Sequence, residues 1–348
     1  MEPQPLNQRV KKMPGIKRQP VLLSGEGIVK VEPLHPDSDL PLVINALADG
    51  VHLSNWVENN REFIEAQLLK HGAILFRRFK VNSADGFKQV VKAMCGDMME
   101  YRERSSPRSQ VSEKIYTSTD YPEDQSIFPH NEHSYSRTFP LKLFFCCLTP
   151  AQEGGYTPLA DTRKIFARLS RQITDRFIEK KWMLVRNYGA GFGLPWQTVF
   201  QSDDRSIVEQ YCRQVGIECE WKENNGLRTR QVRSAVIRHP RTGQLTWFNH
   251  ATFFHVTTLE PMMRDALLAE FKEEDLPTNS YYGDGSPIEP SVLDELRAAY
   301  LEELSTFSWE AGSVVLLDNV LTSHARTPYS GPRKILFAMA EPISRTDF

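Results

Sequence analysis

Apolar residues follow two kinds of spacing along this chain, and each kind predicts a different element. Residues 83–95, 162–182 and 291–306 carry apolar positions at helical spacing. The same spacing is found in residues 41–70, at Val43, Ile44, Leu47, Trp56, Ile64 and Leu68. Short apolar runs next to turn residues predict strands instead, at 73–76, 141–148, 235–238, 244–248, 313–317 and 334–339.

The order of these elements bears on the fold class. Strands and helices do not alternate as βαβ units, which argues against a doubly wound parallel sheet. Short strands joined by turns and interrupted by long helical segments are typical of a jelly roll. We therefore predict a mainly β fold with helical insertions, and no internal repeat is visible.

Composition and charge narrow the class of protein. The chain has 348 residues, 40% hydrophobic and 25% charged, which allows a sizeable core in one large domain over residues 21–348. Residues 1–20 contain five Lys and Arg residues without an apolar run, and we expect a flexible basic tail there. A net charge of −2 provides no field for nucleic acid or anionic membranes, so neither is an expected partner.

Cysteines and apolar runs indicate the compartment. The five cysteines show no CxxC zinc spacing and no even disulfide set. No apolar run approaches the roughly 20 residues of a membrane span. We expect a reduced, cytoplasmic protein in which Cys146 and Cys147 lie in the core.

The segment Pro129-His130-Asn131-Glu132-His133 is the densest cluster of ligand-type residues. In an extended segment His130 and Glu132 converge on one face, whereas Asn131 and His133 point away. Two histidines and one carboxylate leave three positions of an octahedral metal open, as Fe(II) needs for a chelating co-substrate and O2. A closed set of four ligands indicates structural zinc instead. Alone, the tripeptide His130-Asn131-Glu132 is weak evidence for a metal site, because nine histidines produce such a spacing to a carboxylate by chance.

His324 is the candidate third ligand, and Arg333 follows nine positions later. A dicarboxylate co-substrate needs a cation for its distal carboxylate, and a guanidinium offers a planar, bidentate fork. Arg333 is otherwise an ordinary surface residue of a strand. Among the competing histidines, His239 is expected at the surface or in a cap, and His250 and His255 in packing.

The turn Gly154-Gly155-Tyr156-Thr157 has two interpretations. Paired glycines allow the backbone to approach a ligand closely, and the Thr157 hydroxyl is able to hydrogen-bond a carboxylate. On the residues alone, a plain β-turn is the favoured interpretation.

Together these motifs resemble the taurine dioxygenase/clavaminate synthase-like superfamily of Fe(II)/2-oxoglutarate oxygenases. The matching segments span roughly residues 70–345: His130–Glu132, Gly154–Asp161, Arg238–Gly243, and Asp318 through His324 to Arg333. Further segments resemble the amino-acid hydroxylases of nonribosomal-peptide pathways, a syringomycin aspartyl hydroxylase-like branch. These are His130–Ser136, Trp247–Asn249, Tyr282–Gly285 and Gly331–Ile335.

The resemblance implies a double-stranded β-helix (jelly-roll) core with iron at His130, Glu132 and His324. It also implies 2-oxoglutarate at Thr157 and Arg333, with O2 as the second co-substrate. Many members have Asp at the carboxylate position, clavaminate synthase has Glu, and related halogenases have a small residue. Glu132 therefore argues against halogenation. A shift in register would give the role of Arg333 to Arg326 or Lys334.

The activity implied by the resemblance is hydroxylation of an unactivated C–H bond in specialised metabolite biosynthesis, including that of antibiotics. The substrate is an amino acid or an aminoacyl or acyl group, either free or presented by a peptidyl carrier protein. Desaturation and epoxidation use the same cofactor chemistry and stay open. Two other classes are a non-catalytic jelly-roll metal-binding protein and a metal-dependent hydrolase or isomerase, neither of which forms succinate from 2-oxoglutarate and O2.

Overall fold

The computed structural model describes residues 27–345 except 37, 102, 104, 106, 107, 190 and 192. The flexible tail predicted at residues 1–20 lies outside the described residues. That tail and the single domain over 21–348 both stay predictions.

The strands are short except for two long ones near the middle and the end of the chain. They are β1 (Val29–His35), β2 (Ser38–Ala46), β3 (Ala73–Arg77), β4 (Met98–Met99), β5 (Gln110–Ser112), β6 (Ile115–Thr117), β7 (Ile127–His130), β8 (Thr138–Thr149), β9 (Glu153–Gly154), β10 (Leu159–Asp161), β11 (Trp182–Tyr188), β12 (Glu218–Trp221), β13 (Leu227–Arg233), β14 (Val236–Arg238), β15 (Leu245–Trp247), β16 (Thr278–Tyr282), β17 (Val314–Asp318), β18 (Thr322–Arg326), β19 (Tyr329–Ser330) and β20 (Lys334–Ser344).

The helices are short and are inserted between strands. They are α1 (Leu53–Asn59), α2 (Arg61–His71), α3 (Ala84–Met94), α4 (Thr162–Arg168), α5 (Arg171–Lys180), α6 (Trp196–Phe200), α7 (Arg205–Val215), α8 (Pro261–Glu270) and α9 (Pro290–Glu302). Ser83 begins α3 by accepting the Gly86 N–H at its hydroxyl, and Gly72 ends α2 in the left-handed conformation. Within the described residues, no helix has both the length and the apolar character to cross a membrane.

A large mixed sheet forms the centre of the molecule, with strand order β1-β2-β3-β17-β8-β20-β6-β5 and β4 beside β20. Residues 143–148 of strand β8 are all apolar because both faces of the sheet are covered there. Phe144 and Cys146 face a core that includes residues of α1 and α3. Phe145 and Cys147 face the opposite core. Alternate residues of one strand therefore contribute to two cores.

A three-stranded sheet, in the order β10-β18-β7, lies over the second face of the large sheet. The two sheets meet at Phe145 of β8 and His324 of β18, whose ring centroids are 5.1 Å apart. A separate four-stranded sheet, in the order β12-β13-β11-β16, packs with α5 and α9 through Trp182 and Tyr282. The three-stranded sheet carries His130 and His324 of the candidate site.

Most of the predicted elements are present. The predicted strands correspond to β3, β8, β14, β15, β17 and β20, and β14 and β15 form the expected hairpin. Cys146 and Cys147 are fully buried, as expected.

Three helical predictions need correction. Val43 and Ile44 lie in strand β2, which is parallel to β3. They face opposite cores, so both faces of the strand are apolar and the sequence lacks the alternation of apolar and polar residues that indicates a strand. Residues 162–182 form two helices, because Leu169 is extended between them, and Trp182 begins β11. Helix α9 ends at Glu302, before the predicted end at residue 306.

Candidate metal centre

His130 and His324 are neighbours across two strands. Strand β18 pairs antiparallel with β7, His324 lies opposite His130, and their ring centroids are 4.4 Å apart. Glu132 lies in the turn that follows β7, so the predicted extended segment ends at His130. The turn nevertheless brings the carboxylate to the histidines. One ligand atom from each of His130, Glu132 and His324 lies within 4.8 Å of the others.

His133 is the neighbour expected to point away from the metal, and it is outside this group of three. Its backbone has a positive φ of 56°, and its Nε2 lies 3.8 Å from Glu132 Oε1. Its Nδ1 is 3.2 Å from the Ser136 hydroxyl. The side chain therefore packs behind the carboxylate.

Both candidate histidine ligands are held as neutral imidazoles. Burial lowers the pKa of His130 and takes the pKa of His324 well below its usual range. The Nδ1–H of His130 donates to the Phe128 carbonyl at 2.9 Å, which leaves the lone pair on Nε2. His324 Nδ1 is buried and, among the described residues, has no hydrogen-bond partner.

Glu132 is held as a carboxylate in a buried position. Burial by itself raises the pKa of the carboxyl, but the charge of Arg108 lowers it below its usual value. Arg108 Nη2 donates to Glu132 Oε2 at 2.8 Å. Two neutral imidazoles and one carboxylate are the donor set and the protonation states that a divalent iron needs.

Asn319 fixes the backbone around Glu132. Its Oδ1 accepts the Glu132 N–H at 2.8 Å, and its Nδ2 donates to the carbonyls of Glu132 and Pro140. Its own carbonyl accepts from Asn131 Nδ2 at 2.7 Å. The turn that bears the carboxylate is therefore attached to the turn between β17 and β18.

A buried pair fixes that second turn. Asp318 Oδ1 accepts the backbone N–H groups of Val320 and Leu321, and its Oδ2 accepts from His239 Nε2 at 2.9 Å. His239 Nδ1 in turn accepts the N–H groups of Arg241 and Thr242. His239 thus caps a turn as predicted, but it is buried, so the surface position was wrong.

The two candidate histidine ligands open onto a cavity of about 400 Å³, part of which is open to solvent. His130, His324, Thr157 and Arg333 all line it, so four of the five predicted site residues share one space. Burial, with a smaller effect of Arg326, lowers the pKa of Arg333 to about 10, and its side chain remains a cation at neutral pH. The Thr157 hydroxyl is buried and accepts the Trp309 indole N–H at 3.0 Å.

The two alternatives to Arg333 are placed differently. The guanidinium of Arg326 donates to three backbone carbonyls, those of Tyr121, Pro122 and Gln125. Lys334 is exposed. Arg333 makes two longer contacts, to the Gly155 carbonyl at 3.2 Å and to the Ser118 hydroxyl at 3.3 Å.

The glycine pair allows Arg333 to lie where it does. Both glycines have positive φ, and a Cβ on Gly154 would lie 2.1 Å from the Pro328 carbonyl oxygen. A Cβ on Gly155 would lie 3.0 Å from Arg333 Nε. The two glycines therefore allow the turn to lie close to Pro328 and Arg333 of the same chain.

Aromatic residues form a wall beside His130. The Phe253 ring is 4.8 Å from that of His130, and His250 stacks on Phe254 at 4.9 Å. His250 is thus packed, as expected. His255 is half-buried and caps a short 3-10 helix instead of packing in the core.

Two residues of the centre escaped the sequence analysis. Arg108 lies in an irregular segment 24 positions before Glu132, and no spacing connects the two. Asn319 stands in a segment that carried the resemblance, which was the available signal for its importance. Neither residue belongs to a periodic pattern.

Comparisons with known proteins agree with this geometry. The model of the family described as "Taurine catabolism dioxygenase TauD, TfdA family" matches residues 30–339. The dapdiamide synthesis protein DdaC of Enterobacter agglomerans is 38% identical over 280 residues, 80% of this chain and 85% of that protein. A clavaminate synthase-like protein of Arabidopsis thaliana is 28% identical over 295 residues, 82% of this chain and 86% of that protein.

The fold is shared with solved oxygenases. PvcB, described as an Fe, alpha-ketoglutarate dependent oxygenase from an isonitrile synthetic pathway, superposes with a TM-score of 0.55 at 14% identity. The match covers 93% of this chain and 97% of PvcB, which confirms the predicted jelly-roll class. The chain belongs to the taurine catabolism dioxygenase TauD, TfdA family, and it is an Fe(II)- and 2-oxoglutarate-dependent dioxygenase.

Proposed function

We propose that His130, Glu132 and His324 hold the catalytic Fe(II). The observation that supports this assignment is the convergence of their ligand atoms, within 4.8 Å of one another, beside a cavity that both histidines line. Neutral imidazoles and a charged carboxylate suit a divalent cation, and the set of three leaves room for exchangeable ligands. Asn319 and the Phe128 carbonyl keep the donor atoms in position.

We further propose that Arg333 and Thr157 bind the distal carboxylate of 2-oxoglutarate. Arg333 is a largely buried cation whose own contacts, at 3.2 and 3.3 Å, are long enough to be exchanged for a carboxylate. Thr157 lines the same cavity and has a hydroxyl proton to donate, because that oxygen accepts from Trp309.

Bound iron with 2-oxoglutarate and O2 supplies the oxidation of a C–H bond, while the co-substrate is converted to succinate and CO2. The protein orients the target carbon and excludes water from the site. The aromatic wall of Phe253 and Phe254 and the buried His250 give the site an apolar side with one polar group.

For the reaction we propose hydroxylation of an amino acid, or of an aminoacyl or acyl group on a peptidyl carrier protein, in specialised metabolism. Two relatives support this setting: DdaC, a dapdiamide synthesis protein, and PvcB, from an isonitrile synthetic pathway. Glu132 occupies the carboxylate position, which supports oxygen transfer over halogenation. Desaturation and epoxidation are the alternatives within the same chemistry.

The experiment is an anaerobic titration of the Fe(II)-loaded protein with 2-oxoglutarate. A visible charge-transfer band is expected, and amino acids, free or loaded on a carrier protein, should shift it when they bind. The absence of a band in folded, iron-loaded protein would overturn the assignment. With O2 and a binding substrate, succinate should form, and the mass of the product distinguishes a gained oxygen atom from two lost hydrogens.

The other two classes predict different results. A non-catalytic binding protein forms no succinate with any substrate. A hydrolase or isomerase keeps its activity when O2 is removed. His130→Ala or Glu132→Ala should abolish both iron retention and succinate formation.

A further inference from the structure

A further buried guanidinium, that of Arg108, lines the cavity beside the candidate histidine ligands. Arg108 is 8% exposed, and its Nη2 donates to Glu132 Oε2. Its Nε and Nη1 are buried and, within the described part of the chain, have no hydrogen-bond partner. Most of the hydrogen-bonding capacity of this cation is therefore unused.

Aromatic rings fix the position of Arg108. Its guanidinium carbon lies 4.0 Å from the ring centroid of Phe337 and 5.0 Å from that of Tyr101. Both rings are buried. Because the group is stacked and not only hydrogen-bonded, its side chain is preorganised for a planar partner.

The described residues that line the cavity supply no anion to balance the charge of Arg108. The described residues that line the cavity include Arg108, Arg326 and Arg333 and no Asp or Glu. Glu132, the anion that contacts Arg108, would share its single charge with a divalent metal. A buried cation without a full counter-charge is costly, so the loaded site favours a further anion beside Arg108.

Strand β20 sets the distance between the guanidiniums of Arg108 and Arg333. Arg333 directly precedes the strand, Ile335 lines the cavity, and the ring of Phe337 stacks against the guanidinium of Arg108. Four residues of extended chain separate Arg333 from Phe337, about 13 Å at roughly 3.3 Å per residue. A five-carbon dicarboxylate with one guanidinium at each end has a comparable length.

We propose that Arg108 binds the carboxylate next to the keto group of 2-oxoglutarate, while Arg333 binds the other end. This proposal rests on the proposed function, because it assumes that Glu132 is a metal ligand and that Arg333 holds the distal carboxylate. Arg108 contacts Glu132 and the incoming carboxylate with different N–H groups. It therefore positions the co-substrate beside Glu132 and neutralises its charge there.

The test compares two ligands on Mn(II)-loaded protein: 2-oxoglutarate, and 2-oxopentanoate, which lacks the distal carboxylate. Dissociation constants come from the water-proton relaxation of the bound Mn(II), at Mn(II) concentrations that saturate each variant. Arg108→Gln is expected to weaken both ligands by the same factor, about tenfold to a hundredfold for a charge-assisted pair. Arg333→Gln should weaken 2-oxoglutarate only, and Arg108→Lys should recover part of the affinity for both.

Lys334→Gln is the matched control, because it removes an exposed cation next to Arg333 and should change neither constant. Circular dichroism establishes that each variant is folded. Equal binding of both ligands to Arg108→Gln and to the wild type would overturn the proposal, as would a loss confined to 2-oxoglutarate. Wild-type protein that binds neither Mn(II) nor 2-oxoglutarate would instead overturn the proposed function.

Discussion

Glu132 is held from three directions. Arg108 contacts one carboxylate oxygen, His133 lies 3.8 Å from the other, and Asn319 binds the backbone N–H and carbonyl. Each of these contacts restricts the movement of Glu132, so less conformational entropy is lost when the metal binds. The carboxylate is therefore preorganised by residues that do not belong to the candidate ligand set.

Asn319→Ala tests this support. The substitution removes hydrogen bonds to the N–H and carbonyl of Glu132 and to the Pro140 carbonyl, all buried. We expect metal affinity to fall about tenfold to a hundredfold and the free energy of unfolding to fall by roughly 2–4 kcal/mol. Mn(II) titration and urea unfolding measure the two effects.

Asn59→Ala is the matched control for that substitution. Its side chain is exposed and donates to a carbonyl of its own helix, so both quantities should stay close to those of the wild type. Unchanged metal affinity in a destabilised Asn319→Ala protein would show that Asn319 supports the fold without supporting the carboxylate.

Gly155→Ala tests the contact between the glycine turn and Arg333. Gly155 has a φ of +65°, and the added Cβ would lie 3.0 Å from Arg333 Nε, so the guanidinium must move. We expect weaker binding of 2-oxoglutarate by about tenfold, and a stability loss of about 1–2 kcal/mol from the left-handed backbone. Calorimetric titration of Mn(II)-loaded protein measures the affinity.

Gly243→Ala separates these two effects. Gly243 has a φ of +70°, but no atom lies within 4 Å of its added Cβ. The Gly243→Ala variant should lose about as much stability as Gly155→Ala but bind 2-oxoglutarate with the affinity of the wild type. If both glycine variants bind the co-substrate equally well, the position of Arg333 does not depend on Gly155.

At the scale of elements, local patterns predicted those parts of the fold that bury apolar residues continuously. Strand β8 and helix α3 were visible because their apolar spacing extends over many residues. Strand β13 was not, because it contains Arg228, Arg230 and Arg233. Their charges are satisfied by partners distant in sequence, such as Asp275 and the carbonyl of Tyr135, which no local pattern reveals.

The candidate site shows the same limit. His130 and Glu132 were found because they are two positions apart, and His324 because it stands in a recognisable segment. Arg108 acts on Glu132 through an irregular segment, and its importance depends on tertiary structure alone. Local chemistry can be anticipated from a sequence, whereas a counter-charge supplied by another element cannot.

Charges also connect elements on the far side of the large sheet. Lys142 of β8 is buried and pairs with Glu65 of α2 and Glu341 of β20. Arg241, in the turn between β14 and β15, pairs with the same two carboxylates from a more exposed position. This cluster attaches a helix and a hairpin to the sheet.

Lys142→Ala and Arg241→Ala should therefore differ. The first removes a buried cation from two partly exposed carboxylates, which keep Arg241 as a partner, and should cost about 1.5–3 kcal/mol. The second removes a side chain that is 40% exposed and should cost less than about 1 kcal/mol. Urea unfolding measures both, and similar costs would mean that Arg241 takes over the role of Lys142.

At the scale of the whole molecule, three residues of the candidate site belong to, or directly precede, strands of two different sheets. His130 and His324 lie on β7 and β18 of the three-stranded sheet, and Arg333 lies directly before β20 of the large sheet. Metal and 2-oxoglutarate, bound at these residues, would connect the two sheets. Their binding should therefore stabilise the folded molecule as a unit.

Thermal unfolding with and without ligands tests that connection. A ligand that binds the folded state at a hundred times its dissociation constant adds about 2.7 kcal/mol, a rise of a few degrees in the midpoint of unfolding. Mn(II) alone should raise the midpoint, and 2-oxoglutarate should raise it further only when Mn(II) is present. Glu132→Ala should lose both increments, whereas Arg333→Gln should lose the second and keep the first. A 2-oxoglutarate effect that survives in Glu132→Ala would place the co-substrate away from the metal and separate the two halves of the site.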